Sequence, residues 1–283
     1  MRSSRSATAL AVLALALAAG CKKTNEDKPA PGEGAQPADP APGGDSAGGD
    51  APSAAPPGPT GTIRGVIKLT GTPPEMPLLQ RGSDAFCAKK EMHAETVITG
   101  AGGGLANALV RVKPGAVPGW VPSTPVVVDQ SDCMYRPRVQ GAVKGQVLKV
   151  KNSDGTMHNV NARRLPWGER RDTETLFNRA QPAGSPDLEG AIRDDDIMKL
   201  KCDSHGWMQG YVIVSDNPYS AASGADGNFS IEKAPVGSYE VQVWHEFYGV
   251  KTVPVTVTEG QTATVDVTFD ADKDRPPSAG GAP

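Results

Sequence analysis

From Ile63 to Leu69 apolar and polar residues alternate. Ile63, Ile67 and Leu69 fall on one face of an extended chain, and Arg64 and Lys68 fall on the other, which is the period of a half-buried strand. Ala108 to Val112 alternates in the same way. Further short runs rich in Val and Ile predict strands near 125–129, 147–151, 198–201, 211–215, 229–231, 239–244, 252–258 and 263–269. Gly, Pro, Asn and Asp separate them. No segment has the spacing of a long amphipathic helix; residues 173–179 could form one turn of helix at most. Many short strands without helices predict an all-β molecule built of sandwiches or barrels.

Residues 22–60 break the pattern. They contain no Val, Ile, Leu, Met or aromatic residue, and 24 of these 39 positions are Pro, Gly or Ala. Such a stretch buries too little apolar surface to offset its ordering entropy, so it reads as a disordered tether. The segment from 271 to 283 reads as a similar tail. About 210 residues are left to fold, enough for one large or two small domains. Ahead of the tether, Arg2 and Arg5 precede a short apolar run from Ala7 to Ala19, too short to span a bilayer. It has the form of a cleaved signal peptide over 1–20. The closing Leu17-Ala18-Ala19-Gly20-Cys21 resembles a bacterial lipobox, although Ala18 stands where such boxes usually carry Leu. The resemblance implies acylation of Cys21 and a lipid anchor, and Lys22 after the Cys favours the outer membrane; an ordinary signal with an incidental Cys is the alternative. The formal net charge of −3 becomes more negative once Arg2 and Arg5 are removed. This argues against a nucleic-acid partner.

The chemistry is concentrated in Cys202-Asp203-Ser204-His205-Gly206-Trp207-Met208, which is Cys-x2-His-x2-Met, and in Met157-His158-Asn159-Val160 upstream. One thiolate, two imidazoles and one thioether form the ligand set of a mononuclear electron-transfer copper site, His158, Cys202, His205 and Met208. Zinc is disfavoured because it is bound by Cys, His and carboxylate rather than by thioether. A dinuclear copper site would need a second Cys in the loop, and the Cys-x2-Cys-His of a haem attachment is absent. Each ligand alone has a bland reading: a buried Cys, a core Met, a structural His. Their order, after a strand-like Val147-Leu148-Lys149-Val150-Lys151-Asn152, is what makes them a set. With Cys21 acylated and Cys202 a ligand, Cys87 and Cys133 remain as a disulfide pair. Pairing Cys202 with either would destroy the site.

The segment from Cys133 onward resembles the cupredoxins, and within them the amicyanin and plastocyanin group. The resemblance is carried by Cys133-Met134-Tyr135-Arg136-Pro137, Val143-Lys144-Gly145-Gln146, His158-Asn159-Val160 and the Cys-x2-His-x2-Met loop. It implies a Greek-key barrel with one type 1 copper, and a role for Asn159 in tying the two ligand loops together beside the Cys202 sulfur. Residues 222–270, with Ala225-Asp226-Gly227-Asn228-Phe229 and Pro235-Val236-Gly237-Ser238-Tyr239, resemble the carboxypeptidase regulatory-like, or transthyretin-like, β-sandwich. The mature chain as a whole is similar to bacterial proteins called methylamine utilisation-like, which join these two folds. Those proteins often carry His where this chain has Arg138, so any role of that His is absent.

The expected organisation is a cupredoxin domain (122–217) inserted into a regulatory-like sandwich made from 61–121 and 218–270. The function expected is a lipid-anchored periplasmic blue copper protein, on the outer membrane or cell surface. It would act as a monomer that passes single electrons to a redox partner such as a periplasmic cytochrome, without being an enzyme. Trp207 is a candidate docking residue, with packing at the barrel end as its alternative. His245 reads as a strand-end residue rather than a ligand, and Asp194-Asp195-Asp196 as a solvated turn rather than a calcium site. The competing functions are a copper-buffering lipoprotein without a redox partner, and an extracellular carbohydrate- or protein-binding module. Residues 222–270 offer few aromatics for a sugar platform.

Overall fold

The computed structural model describes residues 58–193 and 196–276. The expected signal (1–20), Cys21, most of the tether, Asp194, Asp195 and residues 277–283 lie outside them. The described residues form seventeen strands in order. β1 (Thr60–Thr70) and β2 (Leu109–Val112) are joined by a long connection holding a single 3-10 turn at Cys87–Lys89 and another at Ala101–Gly103. Then come β3 (Val126–Ser131), β4 (Met134–Arg136), β5 (Val139–Val143), β6 (Val147–Asn152), β7 (His158–Leu165), β8 (Thr175–Gln181), β9 (Leu188–Ala191), β10 (Ile197–Lys201) and β11 (Gln209–Ser215). The chain closes with β12 (Ser220–Ala222), β13 (Asn228–Pro235), β14 (Gly237–His245), β15 (Gly249–Val257), β16 (Thr262–Thr264) and β17 (Val267–Asp270). Among the described residues there is no α-helix, so the molecule is all-β, and no helix is long and apolar enough to cross a membrane.

Strands from the two ends of the described chain share sheets. β1 pairs with β13, β16 and β17, and β2 lies between β12 and β14, with Val110 opposite Val243 and Val112 opposite Val241. The inward faces of these two sheets enclose one core, including Ile63, Ile67, Val110, Val241, Val243 and Phe269. The intervening strands make the other pair of sheets, β5-β11-β10-β7-β8 and β4-β3-β6-β9. These enclose a core of Val128, Tyr135, Val150, Val160, Leu200 and Val212, into which Cys202 and Met208 also pack.

A third cluster joins the two sandwiches. Leu109 and Trp244 from one side meet Val139, Leu165, Tyr211 and Ile213 from the other. β2 and β11 are therefore buried on both faces. In β11, Val212 and Val214 point into one core while Tyr211 and Ile213 point into the junction. Arg138 and Glu246 form a bidentate ion pair across this boundary, each only 5% exposed, and the Tyr211 hydroxyl donates to the same carboxylate at 3.1 Å. Arg138 thus has a structural partner.

Two expectations are corrected. Residues 173–179 form no helical turn: Thr175–Gln181 is a strand that pairs antiparallel with β7, because Leu176 and Phe177 pack on the core as part of an extended edge. The expected tail does not begin at 271. Ala271 is buried and its N–H donates to Thr70 O at 2.9 Å, and Asp274 accepts from the Asp270 N–H. These bonds hold the described part of that segment against the ends of β1 and β17.

Candidate metal centre

The ends of β7 and β10 lie side by side, with Asn161 opposite Lys201. His158 opens β7, and Cys202 follows directly on β10. The Tyr135 hydroxyl fixes this junction, lying 2.9 Å from Asn159 O and 3.0 Å from Lys201 O. The loop from Cys202 to Met208 is turned back on itself by the Met208 N–H, which donates to His205 O at 2.9 Å. His158, Cys202, His205 and Met208 are all buried, at 3% exposure or less.

Ligand atoms of His158, Cys202 and His205 converge within 4.8 Å of one another. The two Nδ1 atoms are 2.9 Å apart, and Cys202 Sγ is 3.6 Å from His205 Nδ1. A first-row divalent ion bonds imidazole nitrogen at about 2.0 Å and thiolate sulfur at about 2.3 Å, so these atoms can face a single ion. Met208 lies in the same core as Cys202. The atoms brought together are one thiolate and two imidazoles, a donor set that fits copper, to which Met208 would add a thioether.

The outward nitrogens are also committed. His158 Nε2 lies 2.8 Å from Asp154 Oδ2, and His205 Nε2 lies 3.3 Å from Asp84 Oδ2. A carboxylate on one ring nitrogen places the proton there and leaves the lone pair on the other. Both imidazoles are therefore set with Nδ1 toward the centre. Burial opposes the charged form of His158, but the Asp154 carboxylate and the Cys202 sulfur outweigh it, and its pKa is pushed up to about 9. Burial together with the charge on His158 holds His205 below its ordinary value. The Cys202 thiol is lowered: burial resists the thiolate, and His158 with the Asn159 backbone N–H more than compensates. Without a metal, the two rings can share one proton across their 2.9 Å Nδ1 contact.

Around the sulfur, the Asn159 N–H lies 3.5 Å from Sγ and Asn159 Oδ1 lies 3.3 Å from it. The same Oδ1 accepts the Asp203 N–H at 2.6 Å. Asp203 in turn accepts from the side-chain amides of Asn159, Asn161 and Asn178. Asn159 therefore ties the Cys202 loop to β7, and Asp203 fixes which end of its amide faces the sulfur.

Cys87 and Cys133 are joined by a disulfide, and Cys202 is a free, buried thiol. Cys133 sits in a two-residue hairpin turn between β3 and β4, where Asp132 and Cys133 have φ of 57° and 54°. That left-handed geometry suits a type I′ turn. Asp154 supports it by accepting both N–H groups, at 2.9 and 2.7 Å. One carboxylate thus holds the turn and orients His158. Trp207 is half-buried; its ring is tilted against His205 at 5.1 Å and its Nε1–H donates to Cys133 O at 3.0 Å. His245 closes β14 away from the centre, with Nδ1 accepting the Phe247 and Tyr248 N–H groups. His93 contacts Met76 O.

Asp84, Asp154, Tyr135 and Asp203 support the candidate centre without having been singled out in the sequence. Asp154 is four residues before His158, and that spacing was the available signal. Asp84 has none, because it is 121 positions from the imidazole it holds.

Residues 210–270 match a family model described as the carboxypeptidase regulatory-like domain; the match begins inside β11. A search of curated proteins found no match. Similar solved structures include a purple cupredoxin from Nitrosopumilus maritimus, at 21% identity over 32% of this chain and 99% of that one, with a TM-score of 0.27. Amicyanin from Paracoccus versutus is 21% identical over 38% of this chain and 97% of its own, with a TM-score of 0.27. A copper-containing nitrite reductase from Thermus scotoductus is 18% identical over 36% of this chain and 25% of that one, again with a TM-score of 0.27. The family-model match falls on the stretch whose Asp-Gly and Pro-x-Gly-x-Tyr turns carry the regulatory-like resemblance.

Proposed function

We propose that the protein is a blue copper protein that binds one copper ion and carries one electron at a time. The observation that carries this reading is the inward convergence of His158 Nδ1, His205 Nδ1 and Cys202 Sγ, with both outward imidazole nitrogens already held by carboxylates. Bound copper would supply a reversible one-electron couple. The chain supplies a cage whose rings, sulfur and loop are fixed before the ion arrives. A carrier needs little ligand motion between two oxidation states, and buried ligands on strand ends meet that need.

The inserted arrangement is part of the proposal, supported by the pairing of β1 and β2 with strands after residue 220. So is the cellular setting: a signal over 1–20, acylation at Cys21, a place on the periplasmic face of the outer membrane or at the cell surface, and a periplasmic cytochrome as partner. These rest on sequence alone.

The function is tested by reductive titration of copper-loaded protein. One equivalent of a one-electron reductant should bleach the visible band, and an oxidant should restore it over many cycles. Copper that binds tightly but cannot be cycled would favour buffering over electron transfer.

A further inference from the structure

The connection between β1 and β2 begins and ends in the sandwich that carries no metal ligand, yet its middle part lies over the centre. Asp84 Oδ2 is 3.3 Å from His205 Nε2, and Cys87 Sγ is 3.9 Å from the same nitrogen. The Phe86 ring rests on the loop before His158, so close to Gly155 that a Cβ there would meet it at 2.9 Å. With Trp207 on another side, these groups leave His205 only 3% exposed.

The segment is anchored at several points. The Cys87–Cys133 disulfide ties it to the β3–β4 turn. Arg81 donates to Lys90 O and Asp132 O, and Lys90 pairs with Asp132 at 2.6 Å. Asp84 divides its two oxygens between two tasks. Oδ1 accepts the Phe86 and Cys87 N–H groups at 2.7 and 3.1 Å, which builds the 3-10 turn. Oδ2 receives the Thr156 hydroxyl at 2.7 Å and faces His205 Nε2.

We propose that residues 84–87 form a lid on the metal centre and that Asp84 is a positioning residue for His205, supplied by the neighbouring sandwich rather than by the fold that bears the ligands. The chemistry follows from the placement. An imidazole with one nitrogen toward a metal and the other in water can rotate, and its N–H exchanges freely. A carboxylate on Nε2 fixes the ring and its tautomer, and partners of this kind typically change metal affinity about 10–100-fold when removed. The carboxylate also places a negative charge beside the centre, which favours the more oxidised ion. The lid rests on the copper reading for its effect on potential, and on the apoprotein for its effect on His205.

The decisive variant is Asp84→Asn in the full chain. It keeps an Oδ1 acceptor for the turn but puts an amide NH2 where Oδ2 stood, and an NH2 cannot accept from His205. Imidazole nitrogen NMR of metal-free protein should show His205 with its proton on Nε2 and in slow exchange. In Asp84→Asn that proton should exchange at least tenfold faster. In copper-loaded protein the ratio of Cu(I) to Cu(II) affinity should rise at least tenfold, read as a potential at least ~59 mV higher for a one-electron couple. Thr156→Val, which removes only the hydroxyl on Oδ2, should stay within twofold of wild type in both readouts. Unchanged exchange in Asp84→Asn would overturn the proposal, as would a Thr156→Val that reproduces the Asp84→Asn changes. A chain that takes up no copper would refute the copper reading while leaving the NMR comparison to decide the lid.

Discussion

His245 and the two imidazoles of the candidate centre show how differently this chain treats histidine. His158 sits between a carboxylate and a thiol, which stabilise its charge. His245 is fully buried and its pKa is pushed down to about 3, first by burial and then by the charge of Arg138. Its folded pKa lies below the unfolded value of about 6.5, so the unfolded chain binds the extra proton in between. Stability from a neutral His245 is therefore complete above about pH 6.5 and is lost as pH falls toward 3, at up to about 1.4 kcal/mol per pH unit. In urea titrations His245→Gln should show a shallower fall than wild type over that window; equal slopes would remove His245 as the source. At the same scale, the candidate ligands were legible because Cys202, His205 and Met208 share one loop. The carboxylates that hold His158 and His205 were not. Asp154 was hidden by its ordinary turn context, and Asp84 by distance along the chain.

At the scale of elements, legibility followed burial. β1 has its apolar face on one core, so Ile63, Ile67 and Leu69 announced it. β2 and β11 are covered on both sides; β2 was read from the run Ala108–Val112, and β11 from its Val and Ile content alone. β8 and β9 are largely exposed edges, and β8 carries Thr, Asn, Arg and Gln with no clear period, so it read as a possible turn of helix. The β3–β4 hairpin escaped notice because Asp132-Cys133 replaces the usual Gly-containing turn, with Asp154 supplying the support a glycine would make unnecessary. The Cys87–Cys133 bond spans 46 positions, and loop-closure entropy gives it about 4 kcal/mol. The double variant Cys87→Ser with Cys133→Ser should lose stability on that order in denaturant titration, as reduction should in wild type. A loss under about 1 kcal/mol would mean that the contacts of Arg81, Asp84 and Lys90 hold the segment without the disulfide.

Across the whole molecule, the two sandwiches share a buried wall instead of a loose linker. Leu109 and Trp244 meet Tyr211 and Ile213 there, and Arg138 with Glu246 sits in the same boundary. Removing one partner of a buried ion pair leaves an uncompensated charge and costs about 3–5 kcal/mol. Arg138→Ala should therefore lower stability by that order, and Arg138→Met combined with Glu246→Leu should recover most of it. Because both sandwiches depend on this wall, denaturation should follow one cooperative transition; two separated transitions would show that they fold independently. The shared wall also holds the segment around Asp84 beside the candidate centre, because the sandwich that bears the segment is packed against the one that bears His158, Cys202 and His205.

The central claim is that Cys202 binds copper as a thiolate within the His158, His205 and Met208 set. Its most direct test is the visible absorption spectrum of metal-free protein titrated with Cu(II), compared with Cys202→Ser. The expected result is an intense thiolate-to-copper band that saturates at one equivalent in wild type and is absent from Cys202→Ser. A band of equal intensity in Cys202→Ser, or no band in folded wild-type protein that has taken up the metal, would contradict it.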